Sequence, residues 1–231
     1  MDPKITIDWL RNYATLKSGT FEGKYADMTA RWITTEMLHG NGSTACSDPS
    51  IADLLARARL ATDCGWTDPT LSIFCDGSAL SNGREGARAG YGVAVKRGAA
   101  VIHTFSDRIP SEEPQTNQRA ELYALRYALN YATESGESSV KIYTDSKYAM
   151  DCLMTWGPGW AAAGWKKADK KPVLHADLIT PMYTLYTSNK DSVELIHVRG
   201  HTGRGDPLSL GNALVDELAR SAAAGSAVLT H

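Results

Sequence analysis

Hydrophobic residues in the first 70 positions recur at helical spacing. Ile5, Trp9, Leu10 and Tyr13 form one stripe, and Met28, Trp32, Ile33, Met37 and Leu38 a second. A third, Ile51, Leu54, Leu55, Ala58 and Ala61, opens on the start signal Asp48-Pro49-Ser50. The stretch HGNGSTACSDPS (39–50) interrupts them with turn formers. After Asp68-Pro69 the periodicity changes. LSIFCD (71–76) is a short apolar strand ending on an acid, Gly90–Val95 alternates into a Lys96-Arg97-Gly98 turn, and Ala99–Phe105 reads as a third strand. Leu122, Leu125, Leu129 and Ala132 mark a helix over Asn117–Ala132. VKIYTD (140–145) is a fourth strand, and Ser146 caps a helix running to about Trp156. A Gly/Trp-rich segment, a helix near Asp177–Thr187, a fifth strand SVELIHV (192–198) and a last helix Ser209–Ala223 complete the order. Three strands, helix, strand, helices, strand, helix predicts an α/β fold with a mixed sheet and helices on its faces.

Composition narrows the class. The chain has 231 residues, 43% of them hydrophobic, enough for a sizeable core. No run approaches the ~20 apolar residues that span a bilayer, and MDPKITIDWLRNY is not a secretory leader. Cys46, Cys64, Cys75 and Cys152 show neither CxxC nor zinc spacing, so buried thiols in a reducing, cytoplasmic setting are expected, or a nuclear one if the source is eukaryotic or viral. Net charge is −2, which excludes a global field for attracting nucleic acid. Residues 1–70 hold 7 of the 24 basic and 9 of the 26 acidic side chains, leaving 17 of each sign in the remainder. Any basic patch must therefore be local.

Four acids change the picture. Asp76, Glu121, Asp145 and Asp216 stand in CDGS, NQRAEL, TDSKY and NALVDELA, each where a buried element is entered or left. Glu121 extends the face carrying Leu125, Ala128 and Ala132, and Asn212 lies four residues before Asp216 on one helical face. Singly, such residues are turn formers, caps or solvated charges. Buried together they need a positive counterpart, and oxygen ligands converging on divalent metal suit phosphodiester hydrolysis.

These strings, in this order, resemble ribonuclease H of the type 1 family over roughly Leu71–Ala224. The resemblance implies a five-stranded mixed sheet flanked by helices, with a helical N-terminal extension. It divides the chain into an extension (1–69), a catalytic domain (70–226) and a tail (227–231). It implies an endonuclease cutting the RNA strand of RNA/DNA hybrids with two Mg²⁺ ions, or Mn²⁺, and leaving 3′-hydroxyl and 5′-phosphate ends. Asp76 would bridge the ions, with Glu121, Asp145 and Asp216 as further ligands. His201, in VRGHTGRGD, resembles the family's mobile histidine, assisting proton transfer or product release. GRGDPLSLG (203–211) looks like a flexible insertion beside it.

Substrate positions follow from the same resemblance. Gly77, Ser78, Asn82, Thr116, Asn117, Gln118, Arg119 and Asn212 would face the hybrid, whose minor groove displays 2′-hydroxyls on one strand only. WGPGWAAAGWKKADKKPVLHADL (156–178) resembles the family's basic handle. Trp156, Trp160 and Trp165 would form its small aromatic core, and Lys166, Lys167, Lys170 and Lys171 would contact phosphates. Pro181 should start or kink the helix that follows. A monomer is expected, free of membrane and of small-molecule cofactors.

Three alternatives share the fold. An integrase- or transposase-type nuclease places its last acid differently and lacks the RGHTG loop. A non-catalytic hybrid binder would be expected to have lost an acid, and all four are present. A polymerase-linked domain would follow a reverse-transcriptase motif, and none precedes residue 71. Residues 1–69 carry no hybrid-binding pattern; Trp9, Trp32 and Trp66 read as packing anchors of an appendage.

Overall fold

The structure, a computed structural model, describes residues 70–98, 100–202 and 206–225. The helical reading of residues 1–69, with Cys46, Cys64 and the anchors Trp9, Trp32 and Trp66, lies outside them, as does the tail. Five strands form one sheet: β1 (Leu71–Leu80), β2 (Arg88–Arg97), β3 (Ala100–Arg108), β4 (Val140–Thr144) and β5 (Val193–His197). Their order is β3-β2-β1-β4-β5. β1, β2 and β3 form an antiparallel meander, whereas β4 and β5 run parallel to β1. Parallel pairing requires long crossovers, which α1 (Asn117–Glu134) and the group α2 (Lys147–Met154), α3 (Gly157–Ala162) and α4 (Ala176–Ser188) supply. α5 (Pro207–Ala224) follows β5 and is the last element among the described residues.

Strand periodicity assigns the faces. Ile73 and Cys75 join a core with Leu122, Leu125, Leu129, Leu153 and Ile179, from α1, α2 and α4. Phe74, between them in sequence, faces the opposite way and packs with Tyr143, Leu214, Val215 and Leu218, so α5 covers the other face. β1 is thus buried on both sides, and an acid on it is taken out of water.

α5 comes close to the sheet because β2 carries glycine at its crossing. A Cβ on Gly92 would lie 2.6 Å from Leu218 Cβ and 2.7 Å from the Val215 carbonyl; one on Gly90 would lie 2.5 Å from the Ala223 amide. Gly211, on the helix, lies against the Phe74 ring.

Several boundaries differ from expectation. β1 does not end at Asp76: its pairing with β4 stops at Phe74–Tyr143, but its pairing with β2 continues to Leu80–Arg88. Lys96 is not in a turn; it is a strand residue, buried, beside a register shift at Val95/Lys96. The helix capped by Ser146 stops at Met154, and Gly157-Pro158 opens the separate α3. Pro181 sits inside α4, as the helix expected near Asp177–Thr187 implied, and does not start it. Pro207 is no part of a flexible connection: it occupies the first turn of α5, where its missing N–H costs nothing, and Asp206 accepts from the Ser209 amide at 3.0 Å.

Gly92→Ala should lower the melting temperature by about 5 °C, the effect of roughly 2 kcal/mol of overpacking in a chain this size. Thermal denaturation followed by circular dichroism measures it; an unchanged midpoint would contradict the close crossing of α5.

Candidate active site

Each of the four acids is placed by a different element. The parallel register stops at Phe74–Tyr143, two residues before Asp76 and Asp145 on either strand, so the two acids emerge side by side. Glu121 reaches them because β1 lies directly against α1: a Cβ on Gly77 would run into the Ala120 carbonyl carbon and the Glu121 amide. α5 is tied in by Asn212, whose Nδ2 donates to Asp145 Oδ2 at 3.0 Å, and Asp216 follows one turn later. The loop after β5 presses on the same place, since a Cβ on Gly200 would collide with Asp145 Oδ2.

Hydrogen bonds fix the carboxylates individually. Glu121 receives Asn117 Nδ2 on Oε1 at 2.8 Å and the Ser146 hydroxyl on Oε2 at 2.5 Å. Ser146 Oγ also accepts from the Ala149 amide at 3.1 Å, so one hydroxyl both starts α2 and aims Glu121. The Gly77 amide donates to Asp76 Oδ1 at 2.7 Å.

The electrostatics of the group are unfavourable as it stands. Asp76 is 6% exposed. Burial, then the negative charges of Asp145, Asp216 and Glu121, push its pKa up to about 8, against the partial relief of the Gly77 amide. Burial chiefly raises Glu121 as well; Asp145 adds to this, while Ser146 and Asn117 oppose it. Burial raises Asp216, with Arg220 and His201 pulling the other way. Among the described residues no Lys or Arg pairs with Asp76, Glu121 or Asp145.

The four side chains feel one another strongly but do not close into a cage. In this conformation no three His, Cys, Asp or Glu among the described residues form a ready ligand shell. Asn117, Ser146 and Asn212 hold the oxygens of Glu121 and Asp145. The donor set nevertheless fits a hard divalent cation: carboxylate oxygens, buried or half-buried, of which Asp76, Glu121 and Asp145 pair with no Lys or Arg among the described residues and only Asp216 has a cation, Arg220, at 3.6 Å.

The sequence pattern of RNase H matches residues 68–224. The chain belongs to the RNase H family. Membership makes it an enzyme of the ribonuclease H class, a hydrolase. It is 37% identical over 153 residues to the ribonuclease H of Cyanothece sp., covering 66% of this chain and 88% of that one. It is 34% identical over 151 residues to ribonuclease H1 of Rattus norvegicus, covering 65% of this chain but 49% of the rat protein. The chain thus spans most of one relative and about half of the other. The crystal structure of LC9-RNase H1, described as a type 1 RNase H with the type 2 active-site motif, is similar at a TM-score of 0.57 and 26% identity, over 71% of this chain and 78% of that one. The solution structure of the PFV RNase H domain shares the fold at a TM-score of 0.57 and 24% identity, over 67% and 94% of the two chains.

Within this RNase H, the other expected site residues divide into three groups. Ser78 and Asn117 are half-buried beside the carboxylates, Gln118 and Asn82 are exposed, and Asn82 Oδ1 accepts from the Asn117 amide at 3.3 Å. Thr116 is the N-cap of α1, its hydroxyl accepting from the Arg119 amide at 3.3 Å. His201 is exposed at a positive φ of 50°, its Nδ1 3.8 Å from Asp216 Oδ2. Lys166, Lys167, Lys170 and Lys171 are exposed on a small hairpin, bridged at Lys166–Pro172 and closed by the Lys167 amide donating to the Lys171 carbonyl.

Two expected substrate contacts are turned inward instead. Asn212 is 2% exposed and its amide donates to Asp145. Arg119 is buried and spends its guanidinium on Glu113 and Asp177. The three tryptophans do not make one core. Trp156 packs on Trp160 at 5.5 Å and is 39% exposed, while Trp165 meets Tyr183 edge-on at 5.6 Å. Sequence reasoning missed Ser146 and Asn117 as holders of Glu121. The i,i+4 spacing of Asn117 and Glu121 was the one local signal available.

Asp76 binds its proton more tightly in the folded enzyme than in the unfolded chain. Between the ordinary value of 3.8 and about 8, the metal-free fold therefore loses stability as pH rises. In EDTA at pH 8, Asp76→Asn should raise the melting temperature by about 5 °C, or roughly 2 kcal/mol, less than the full shift because the acids share the strain. The gain should vanish near pH 4. An equal gain at both pH values would contradict the electrostatic origin.

Proposed function

We propose that this RNase H hydrolyses the RNA strand of RNA/DNA hybrids, leaving 3′-hydroxyl and 5′-phosphate ends. The observation that carries the reading is the buried Asp76, which feels the charges of Asp145, Glu121 and Asp216 and pairs with no Lys or Arg among the described residues. Two Mg²⁺ ions, or Mn²⁺ on the same oxygens, would supply an activated water and stabilise the leaving 3′ oxygen. Asp76, Glu121, Asp145 and Asp216 would hold them.

The chain's own residues do the rest. Ser146 and Asn117 keep Glu121 in one rotamer, and Asn212 does the same for Asp145, so little reorganisation remains when charge arrives. His201, exposed beside Asp216, is free to carry a proton toward the departing oxygen or to ease product out. The Gly77 backbone, Ser78, Asn82, Thr116, Asn117 and Gln118 present small polar groups beside the carboxylates, suited to 2′-hydroxyls in a shallow minor groove. Lys166, Lys167, Lys170 and Lys171 offer positive charge to the phosphates of the DNA strand, giving an affinity that falls with salt.

Asp76→Asn should cut Mg²⁺-dependent cleavage of a labelled hybrid by about three orders of magnitude, the loss of several kcal/mol of charge stabilisation. Retained cleavage would overturn the assignment, as would cutting of duplex DNA in preference to hybrid.

His201→Ala should slow turnover by about a hundredfold and leave residual cleavage. Complete inactivity would make it a metal ligand instead.

A further inference from the structure

Arg119 lies two residues before Glu121, and its side chain is 7% exposed. Nε donates to Glu113 Oε2 at 2.6 Å, and Nη2 to Asp177 Oδ2 at 2.5 Å. Nη1 lies 3.3 Å from Asp177 Oδ1 and 3.2 Å from His175 Nδ1. The Tyr123 hydroxyl donates to the other oxygen of Glu113 at 2.6 Å. Burial first, and then the Arg119 cation, hold His175 below its usual pKa; because a guanidinium only donates, the ring accepts through Nδ1.

These partners come from two places that matter differently. Glu113 precedes α1, in the loop that ends on the N-cap Thr116, next to Asn117. His175 and Asp177 open α4, at the exit of the lysine hairpin. The chain runs from the hairpin into α4 through Val173, which is buried and donates its amide to the Trp165 carbonyl at 3.0 Å. His175 is the residue before α4, in a left-handed conformation with φ 59°. The hairpin is short, and its exit is pinned to the start of α1 by one guanidinium in a planar, multidentate fork. Tilting that joint moves the lysines relative to the carboxylates.

We propose that Arg119 is a positioning residue: by binding Glu113 and Asp177 together, it sets the distance between the lysine hairpin and the carboxylates, so that one hybrid engages both. The inference rests on the reading of the lysines as phosphate contacts. It replaces a groove contact for Arg119 with a mechanical role.

Asp177→Asn tests it in the full chain. Asp177 is 58% exposed, and Arg119 keeps Glu113 when the charge is removed, so the fold survives. On a hybrid long enough to span hairpin and carboxylates, KM should rise about fivefold to tenfold, the loss of one charge-assisted bond's hold on the joint, with kcat unchanged. On a hybrid too short to reach the lysines, both parameters should match the parent. Combined with alanine at Lys166, Lys167, Lys170 and Lys171, Asp177→Asn should add nothing. An equal loss on both lengths, a fall in kcat, or no change on the long hybrid would overturn the proposal. If the four-alanine variant itself binds long hybrid as the parent does, the phosphate-contact reading falls and this inference with it. If that variant weakens binding and Asp177→Asn does not, the inference alone falls.

Discussion

Negative charge buried at Asp76, paired with no Lys or Arg among the described residues, is the constraint around which this RNase H is arranged. β1 is covered on both faces, so Asp76 loses its solvent. β4 then sets Asp145 beside it, and α1 and α5 bring Glu121 and Asp216. A fold that needed only stability would place a lysine or an apolar side chain there. Conserving charge at a cost in stability makes sense where positive charge is to be bound later, and the pH-dependent strain on Asp76 is the physical trace of that arrangement.

The surroundings hold the strain in place. Glycines remove the bulk that would keep elements apart: Gly77 under α1, Gly92 under α5 and Gly200 over Asp145. Amide and hydroxyl donors, not cations, then orient Glu121 and Asp145. Asn117 and Ser146 stabilise the carboxylate form of Glu121 without neutralising it, and Asn212 holds Asp145 by a hydrogen bond.

Much of this was legible in the sequence, and the legible parts share a cause. Strand and helix periods reflect which face is buried, so the five strands and the faces of α1 and α5 followed from spacing. The four acids were found because their local strings are short and contiguous. What was not legible depends on partners distant in the chain. Asn212 bonds an aspartate 67 residues away, and Arg119 one 58 residues away. Each was read as facing the hybrid until the fold supplied its partner. Lys96 was misread because a Lys-Arg-Gly string has turn composition whether or not its first residue is carried into the sheet by a register shift. Pro207 was misread because proline at a first helical position and proline in a loop look alike without the Asp206 cap.

The central claim, that the four carboxylates gather divalent ions at the scissile phosphate, is tested most directly by Mn²⁺. Crystals of the Asp145→Asn variant with an RNA/DNA hybrid, soaked in Mn²⁺, would be measured at the manganese absorption edge. Anomalous peaks bounded by Asp76, Glu121 and Asp216 and touching a phosphate of the RNA strand are the predicted result. Manganese bound only elsewhere on the protein, with the hybrid in place and that pocket without a peak, would contradict it.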